Sequence, residues 1–316
     1  MNTMTFWRHG RNLCVWLAFA GLVGCSTAPV APNSPPKMPA DTSAVTPPLV
    51  REEPPPAPKR PLKLGLALGG GAARGFAHVG VIQVLEEAGI SPSLVVGTSA
   101  GSLVAAFYAS GKNGAQLQRV SETMDEATLT DWTVPLLSRG MMRGDGLARY
   151  VAAQTGGRKI EDLPVPLGIV ATDLHTGQGV LFQRGDIATA VRASSAVPAV
   201  FEPVRVAGRD YVDGGLVSPV PVRFARQMGA DVVLAVDISS APESNKANDM
   251  LQVLLQTFTI MSKSINAFEL KEAEVVVRPA LLGVGSAAFS ERRRSIEAGR
   301  AAMLQALPAL RKALER

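Results

Sequence analysis

Gly97-Thr98-Ser99-Ala100-Gly101 decides how the rest of this chain is read. Upstream, Ser93-Leu94-Val95-Val96 predicts a short buried strand, and downstream the small apolar residues 102–109 predict a helix. A Gly-x-Ser-x-Gly pentapeptide between a strand and a helix is a nucleophile-elbow arrangement. The turn is so tight that a side chain at either flank would strike the neighbouring strand or helix, which calls for Gly97 and Gly101. Ser99 is thereby carried at the carboxyl end of a strand, where open α/β sheets present their ligands. It also stands at a helix N-terminus, whose unpaired N–H groups and dipole favour developing negative charge.

Working back from the elbow, Leu64-Gly65-Leu66-Ala67-Leu68 predicts the first buried strand and residues 76–88 an amphipathic helix. Between them runs Gly69-Gly70-Gly71-Ala72-Ala73-Arg74-Gly75. A strand, a glycine loop and a helix suit a dinucleotide site, but the spacing is not G-x-G-x-x-G in any frame. Where an acidic residue is expected to end the second strand, Gly97-Thr98-Ser99 stands instead. The other reading is an oxyanion hole, with the N–H groups of Gly69, Gly70, Gly71 and Ala72 free to meet an acyl oxygen. Two such loops, at the ends of two strands joined by one helix, favour the second reading. Arg74, the one charge in the loop, either contacts a substrate phosphate, anchors the loop or pairs with an acid.

The chain has 316 residues, 47% of them hydrophobic and 19% charged, enough for one large globular domain. Its net charge of +5 is spread along the sequence, apart from Arg292-Arg293-Arg294, read as a solvated helix end. No Lys/Arg tract with interleaved aromatics points to nucleic acid. No metal-ligand cluster or cofactor motif follows from these residues, and nothing in them fixes an oligomeric state.

The N-terminus reads as a targeting segment. Arg8 and Arg11 precede an apolar run at 13–23, short for a membrane span, which ends in Leu22-Val23-Gly24-Cys25. Small residues before a cysteine resemble a bacterial lipobox, which implies that residues 1–24 are removed and Cys25 is lipidated. Ser26 after it leans towards the outer membrane of a bacterial envelope. Residues 25–61 are crowded with proline, including Pro54-Pro55-Pro56, and read as an extended linker. The folded domain is then 62–316.

Leu68-Gly69-Gly70-Gly71-Ala72-Ala73-Arg74-Gly75-Phe76-Ala77-His78-Val79-Gly80-Val81, then Gly97 to Gly101, then Asp213-Gly214-Gly215 resembles the patatin-like phospholipase family, in its branch related to neuropathy target esterase. Ala171-Thr172-Asp173-Leu174, Ala193-Ser194-Ser195-Ala196-Val197-Pro198 and Ala235-Val236-Asp237 fit the same pattern. One departure is Ala72, where the family motif has its second conserved glycine. The resemblance implies a three-layer α/β fold with a mostly parallel central sheet and helices on both faces. It also implies a Ser–Asp dyad without histidine, with Ser99 as nucleophile and Asp213 as base, acting on phospholipid or lysophospholipid esters.

Histidine placement agrees, since only His9, His78 and His175 occur and none follows Asp213, unlike an α/β-hydrolase triad. His78 reads as a packing or capping residue and His175 as part of a turn. Asp213 read alone favours an Asx-turn residue, and the motif resemblance makes it the base; Asp173 and Asp237 read as structural.

Further elements are predicted as helices at 117–129, 144–153, 187–195, 220–228, 248–270 and 296–314. Strands are predicted at 166–171, 180–183, 210–212, 231–236 and 275–279, with a turn at 140–146 bordering the site mouth. The apolar excess of 248–270 suits core packing or contact with a lipid interface. The contrasting functional reading is a membrane-anchored lipoprotein that binds lipid or a partner with little turnover.

Overall fold

Large and small residues alternate in Leu64-Gly65-Leu66-Ala67-Leu68, so this strand presents different surfaces to its two sides. The computed structural model describes residues 60–125, 127, 131, 139–242, 247–285 and 287–315. The chain divides into Met1–Ala57 and Pro58–Arg316. Residues 1–24, Cys25 and nearly all of the 25–61 linker lie outside the described residues, as does Trp132.

The described strands are β1 (Leu64–Leu68), β2 (Leu94–Thr98), β3 (Gly140–Met142), β4 (Leu167–Asp173), β5 (Gly179–Phe182), β6 (Ala199–Phe201), β7 (Val204–Val206), β8 (Arg209–Asp213), β9 (Val232–Val236) and β10 (Val275–Val277). The described helices are α1 (Ala77–Glu87), α2 (Ala100–Ala109), α3 (Gly114–Thr123), α4 (Asp145–Thr155), α5 (Ile187–Ser194), α6 (Val222–Gln227), α7 (Met250–Glu269) and α8 (Arg292–Leu314).

Eight strands form one sheet in the order β10-β9-β1-β2-β4-β8-β7, with β5 also pairing β4. The run from β10 to β4 is parallel; β5 and β8 are antiparallel to β4, and β7 to β8. Leu64, Leu66, Leu68, Val95, Ile169 and Leu234 pack into one core with α1, α2, α3, α4, α5 and α8. Ala67, Val96, Val170, Val233 and Ala235 pack on the other side with α6 and Leu270. Helices on both faces of a mixed sheet make the expected three-layer α/β fold. All of these core residues lie between Leu64 and Ala313.

Several expectations change. Residues 140–142 are not a turn but a strand, paired in parallel with β6 through Gly140↔Ala199 and Met142↔Phe201. Strands of three residues such as β6 and β7 are too short to show an alternation in sequence. The helix expected at 117–129 starts earlier, at Gly114, because Asn113 and Gln116 form a reciprocal capping box. It ends at Thr123. Arg293 and Arg294 are exposed, but Arg292 is half-buried: it donates to the Ser121 and Glu122 carbonyls and stacks over Phe76. Among the described residues no helix is long and apolar enough to cross a membrane.

Candidate active site

The sheet register brings the two singled-out residues onto one row. Thr98 on β2 lies opposite Val170 on β4, and Asp213 on β8 lies opposite Ala171. Ser99, one residue past Thr98, therefore sits level with Asp213 across β4. Neither backbone is a neighbour of the other, so the gap of two strand spacings, about 10 Å, is closed by side chains.

Ser99 caps the start of α2 with φ 52° and ψ −124°. That conformation strains any residue with a Cβ, and the surroundings enforce it. A Cβ at Gly97 would lie 2.3 Å from the Gly101 carbonyl oxygen, and one at Gly101 would lie 2.1 Å from that of Leu68. The strand and helix thus touch backbone to backbone, and the serine is pushed outward. Its N–H donates to Ser194 Oγ at 2.9 Å, and the Ser194 hydroxyl donates to the Val170 carbonyl at 2.6 Å. Ser102 returns both its N–H and its hydroxyl to the Ser99 carbonyl. The elbow is therefore held at its amide and its carbonyl while its side chain stays half exposed.

Asp213 ends β8 and is buried. Its Oδ1 accepts the Gly215 N–H at 2.7 Å, which is the Asx-turn alternative. Its Oδ2 is also buried and makes no hydrogen bond that meets strict geometry. The Ser99 hydroxyl is nonetheless close enough to favour the charged form. Burial outweighs it and the Gly215 bond, pushing the carboxyl up from 3.8 to about 6. The Asp213 N–H donates to Ala196 O, and its carbonyl accepts the Thr172 hydroxyl. Gly214 is obligatory, since a Cβ there would lie 2.2 Å from the Val170 carbonyl oxygen.

Of the four donors expected in the glycine loop, two are engaged by the fold. Gly69 N–H donates to Val236 O at 3.0 Å and Gly70 N–H to Pro219 O at 2.9 Å. Among the described residues the N–H groups of Gly71 and Ala72 have no acceptor. Gly71 and Ala72 are thus the loop amides that the described fold leaves without an acceptor, and sequence could not reveal which amides the neighbouring carbonyls would take. Gly75 lets the loop pack against the elbow, where a Cβ would meet Ala100 Cβ at 2.9 Å.

Two cavities meet at Ser99. One, of about 190 Å³, is lined by Gly70, Gly71, Arg74, Asp213, Gly215 and Ser239, with Phe258 and Ser262 of α7. The other, of about 440 Å³, is apolar and is walled by Phe76, Leu103, Phe107, Met141, Met142 and Phe201, with Leu251 and Leu255 of α7. Met141 and Met142 thus reach the site as part of a strand. Arg74 faces the smaller cavity with its Nε buried and unpartnered. Burial lowers its pKa from the ordinary arginine value, opposed by the charge of Asp237.

The remaining candidates fall into structural places. His78 is buried and its Nε2 donates to the Gly69 carbonyl at 2.8 Å; burial lowers its pKa to about 4, so it is neutral at pH 7. Asp173 accepts from Arg209 and from the His175 and Thr176 amides, which together pull it down to about 2. His175 is exposed on that turn. Asp237 holds Ser239 and Arg278. Sequence reading left Ser194 without a role, although its motif was visible. Glu269 was missed altogether; it binds Ser218, whose carbonyl accepts the Thr98 hydroxyl.

The family model described as patatin-like phospholipase matches residues 66–226. An uncharacterized NTE family protein of Mycobacterium tuberculosis is 37% identical over 188 residues, covering 59% of this chain and 52% of the relative. Mouse patatin-like phospholipase domain-containing protein 6 is 35% identical over 190 residues, covering 58% of this chain and 14% of that protein. The crystal structure of VipD from Legionella pneumophila superposes with a TM-score of 0.55 at 16% identity, over 79% of this chain and 67% of that one; the likeness is one of fold. This chain spans about half the length of the bacterial relatives it matches.

Proposed function

The chain belongs to the patatin-like phospholipase family, and on that premise we propose that it is a serine acyl hydrolase of lipid esters working through Ser99 and Asp213. The observation that carries the proposal is the buried, otherwise unbonded Oδ2 of Asp213 beside a serine held outward on a strained turn. A serine hydroxyl is a weak nucleophile until a neighbour accepts its proton. A carboxylate lifted to about 6 is a far better acceptor than an ordinary one and is still mostly charged at neutral pH.

In the proposed cycle, Asp213 accepts the Ser99 proton while Oγ bonds to the ester carbonyl carbon. The carbonyl oxygen takes up the negative charge against the Gly71 and Ala72 N–H groups and the N-terminus of α2. The tetrahedral carbon collapses, the ester C–O bond breaks, and the departing alcohol takes the proton from Asp213. Water then gives a proton to Asp213 and attacks the acyl-serine carbon; as the bond to Oγ breaks, Asp213 returns that proton to Ser99 and the fatty acid leaves. The apolar cavity suits an acyl chain. The smaller one suits a polar head, with Arg74 supplying positive charge to a phosphate.

For the N-terminus, we propose that residues 1–24 are a lipoprotein signal, that Cys25 carries the lipid and that 25–61 tether the 62–316 domain to a bacterial envelope membrane. Small residues ahead of Cys25 and the proline-rich stretch after it support this. Mass spectrometry of the mature chain is expected to find a lipidated Cys25 at its N-terminus; an unmodified cysteine there would end the proposal.

The hydrolase proposal is tested by fatty-acid release from mixed phospholipid vesicles and by labelling with a fluorophosphonate probe. Wild type is expected to release fatty acid and to label, and Ser99→Ala to do neither. A wild-type protein that neither labels nor hydrolyses any ester returns the chain to the lipid- or partner-binding reading.

A further inference from the structure

Helix α7 has two apolar sides. Its inner side lines the site: Leu251 and Leu255 wall the larger cavity, and Phe258 and Ser262 the smaller one. Its outer side carries Met250, Val253, Leu254, Ile260, Met261 and Phe268 in solvent, with Met250 89% and Phe268 73% exposed. These positions recur at intervals of three, four and seven, so they form one stripe along the helix. At 1.5 Å per residue the stripe runs about 27 Å. The core needs none of these side chains, since none of them belongs to a buried cluster.

We propose that this outer stripe of α7 is the surface by which the protein lies on a lipid bilayer, setting both cavity mouths against the substrate. The inference rests on the reading of the site as a lipid acyl hydrolase and adds where the lipid comes from. Three observations favour a lipid surface over another occupant. First, the stripe adjoins the cavity-lining side of the same helix, so whatever covers the stripe sits beside the cavities that meet at Ser99. Second, the helix offers no free acid outward. Asp249 caps its N-terminus, and Glu269 is buried against Ser218. Past its C-terminal end the exposed Lys271 stands over the Phe268 ring. Third, a seam meant for a second helix carries charges of both signs along its flanks, whereas here the flank away from the cavities, Gln252, Gln256, Lys263 and Ala267, holds no acid. An apolar helical face without outward acids and with a cation at its end suits a helix that lies in the plane of an anionic bilayer surface.

The test uses the compact Pro58–Arg316 unit in Ser99→Ala form so that binding is read without turnover. Sedimentation with phosphatidylcholine vesicles, with and without phosphatidylglycerol, compares it with the double variant Val253→Glu/Ile260→Glu. Binding is expected to weaken by about tenfold or more, and the parent is expected to prefer the phosphatidylglycerol vesicles. In the Ser99 protein the same double variant is expected to lose vesicle hydrolysis while keeping its rate on a soluble short-chain ester. Equal vesicle binding by parent and double variant overturns the proposal. So does a parent that sediments as a dimer which the double variant splits, because the stripe then belongs to a second copy. A protein inactive on every ester refutes the hydrolase reading, yet vesicle binding of the Ser99→Ala form still decides this one.

Discussion

Asp213→Asn is expected to make the protein more stable while removing most of its activity. In the fold, burial lifts the carboxyl from 3.8 to about 6, against the opposing pull of the Ser99 hydroxyl and the Gly215 N–H. Between those two values the folded protein keeps a proton that the unfolded chain has released. Stability therefore falls as pH rises through this window. At about 1.4 kcal/mol per pH unit, the ionised group costs the fold about 3 kcal/mol above about pH 6. An amide cannot ionise, and it still offers an oxygen to the Gly215 N–H. The variant is expected to match wild type below about pH 4 and to exceed it by about 3 kcal/mol at about pH 8, a rise in Tm of roughly 6–12 °C.

The assay is thermal unfolding of both proteins across this pH range. Their difference must be read, not either curve alone, because His78 acts in the opposite sense. Burial lowers it from 6.5 to about 4, so its contribution is present at neutral pH and lost as pH falls through that interval. Being common to both proteins, it drops out of the difference. The activity of wild type is expected to rise through an apparent pKa near 6, and the variant to lose roughly 10²–10⁴-fold, the usual worth of a general base. A stability gain that is absent or flat with pH, or a wild-type rate that does not change between about pH 5 and 8, refutes the assignment of Asp213 as a buried base.

Other expectations follow from the same geometry. At φ 52° and ψ −124°, Ser99→Gly is expected to be more stable than Ser99→Ala by about 1–3 kcal/mol, since only glycine is at ease there; denaturant midpoints decide it, and equal midpoints would mean the turn is unstrained. Gly214→Ala drives a Cβ against the Val170 carbonyl and is expected to lose several degrees of Tm and most of the activity, whereas unchanged kinetics would place Asp213 away from the chemistry. His78→Leu leaves the Gly69 carbonyl without its donor, at about 1–3 kcal/mol, and is expected to lower kcat more than it raises KM by loosening the glycine loop. Arg74→Gln is expected to raise KM for phospholipid and to spare an uncharged ester; an equal effect on both would make Arg74 a loop anchor.

Much of this was legible in residues 64–101, where strand, loop, helix, strand and elbow follow one another within a single local pattern. Local patterns are readable because backbone geometry and side-chain periodicity act between residues a few positions apart. The same physics explains the failures. The strand at Gly140–Met142 exists because β6 lies beside it, and the role of Arg292 exists because α3 ends within its reach.

For the site itself, the sequence determined that Ser99 must turn outward between two glycines, that no histidine follows Asp213, and that a glycine loop precedes the elbow. It left Asp213 suspended between an Asx turn and a base, and it offered four loop amides without ranking them. What bears on both lies in the tertiary structure. The pairings of β4 with β2 and β8 put Ser99 and Asp213 on one row. Burial then raised the carboxyl, and the carbonyls of Val236 and Pro219 took Gly69 and Gly70. A residue's protonation and an amide's availability are set by what lies across the sheet, contributed from more than a hundred positions along the chain, and no local pattern carries that.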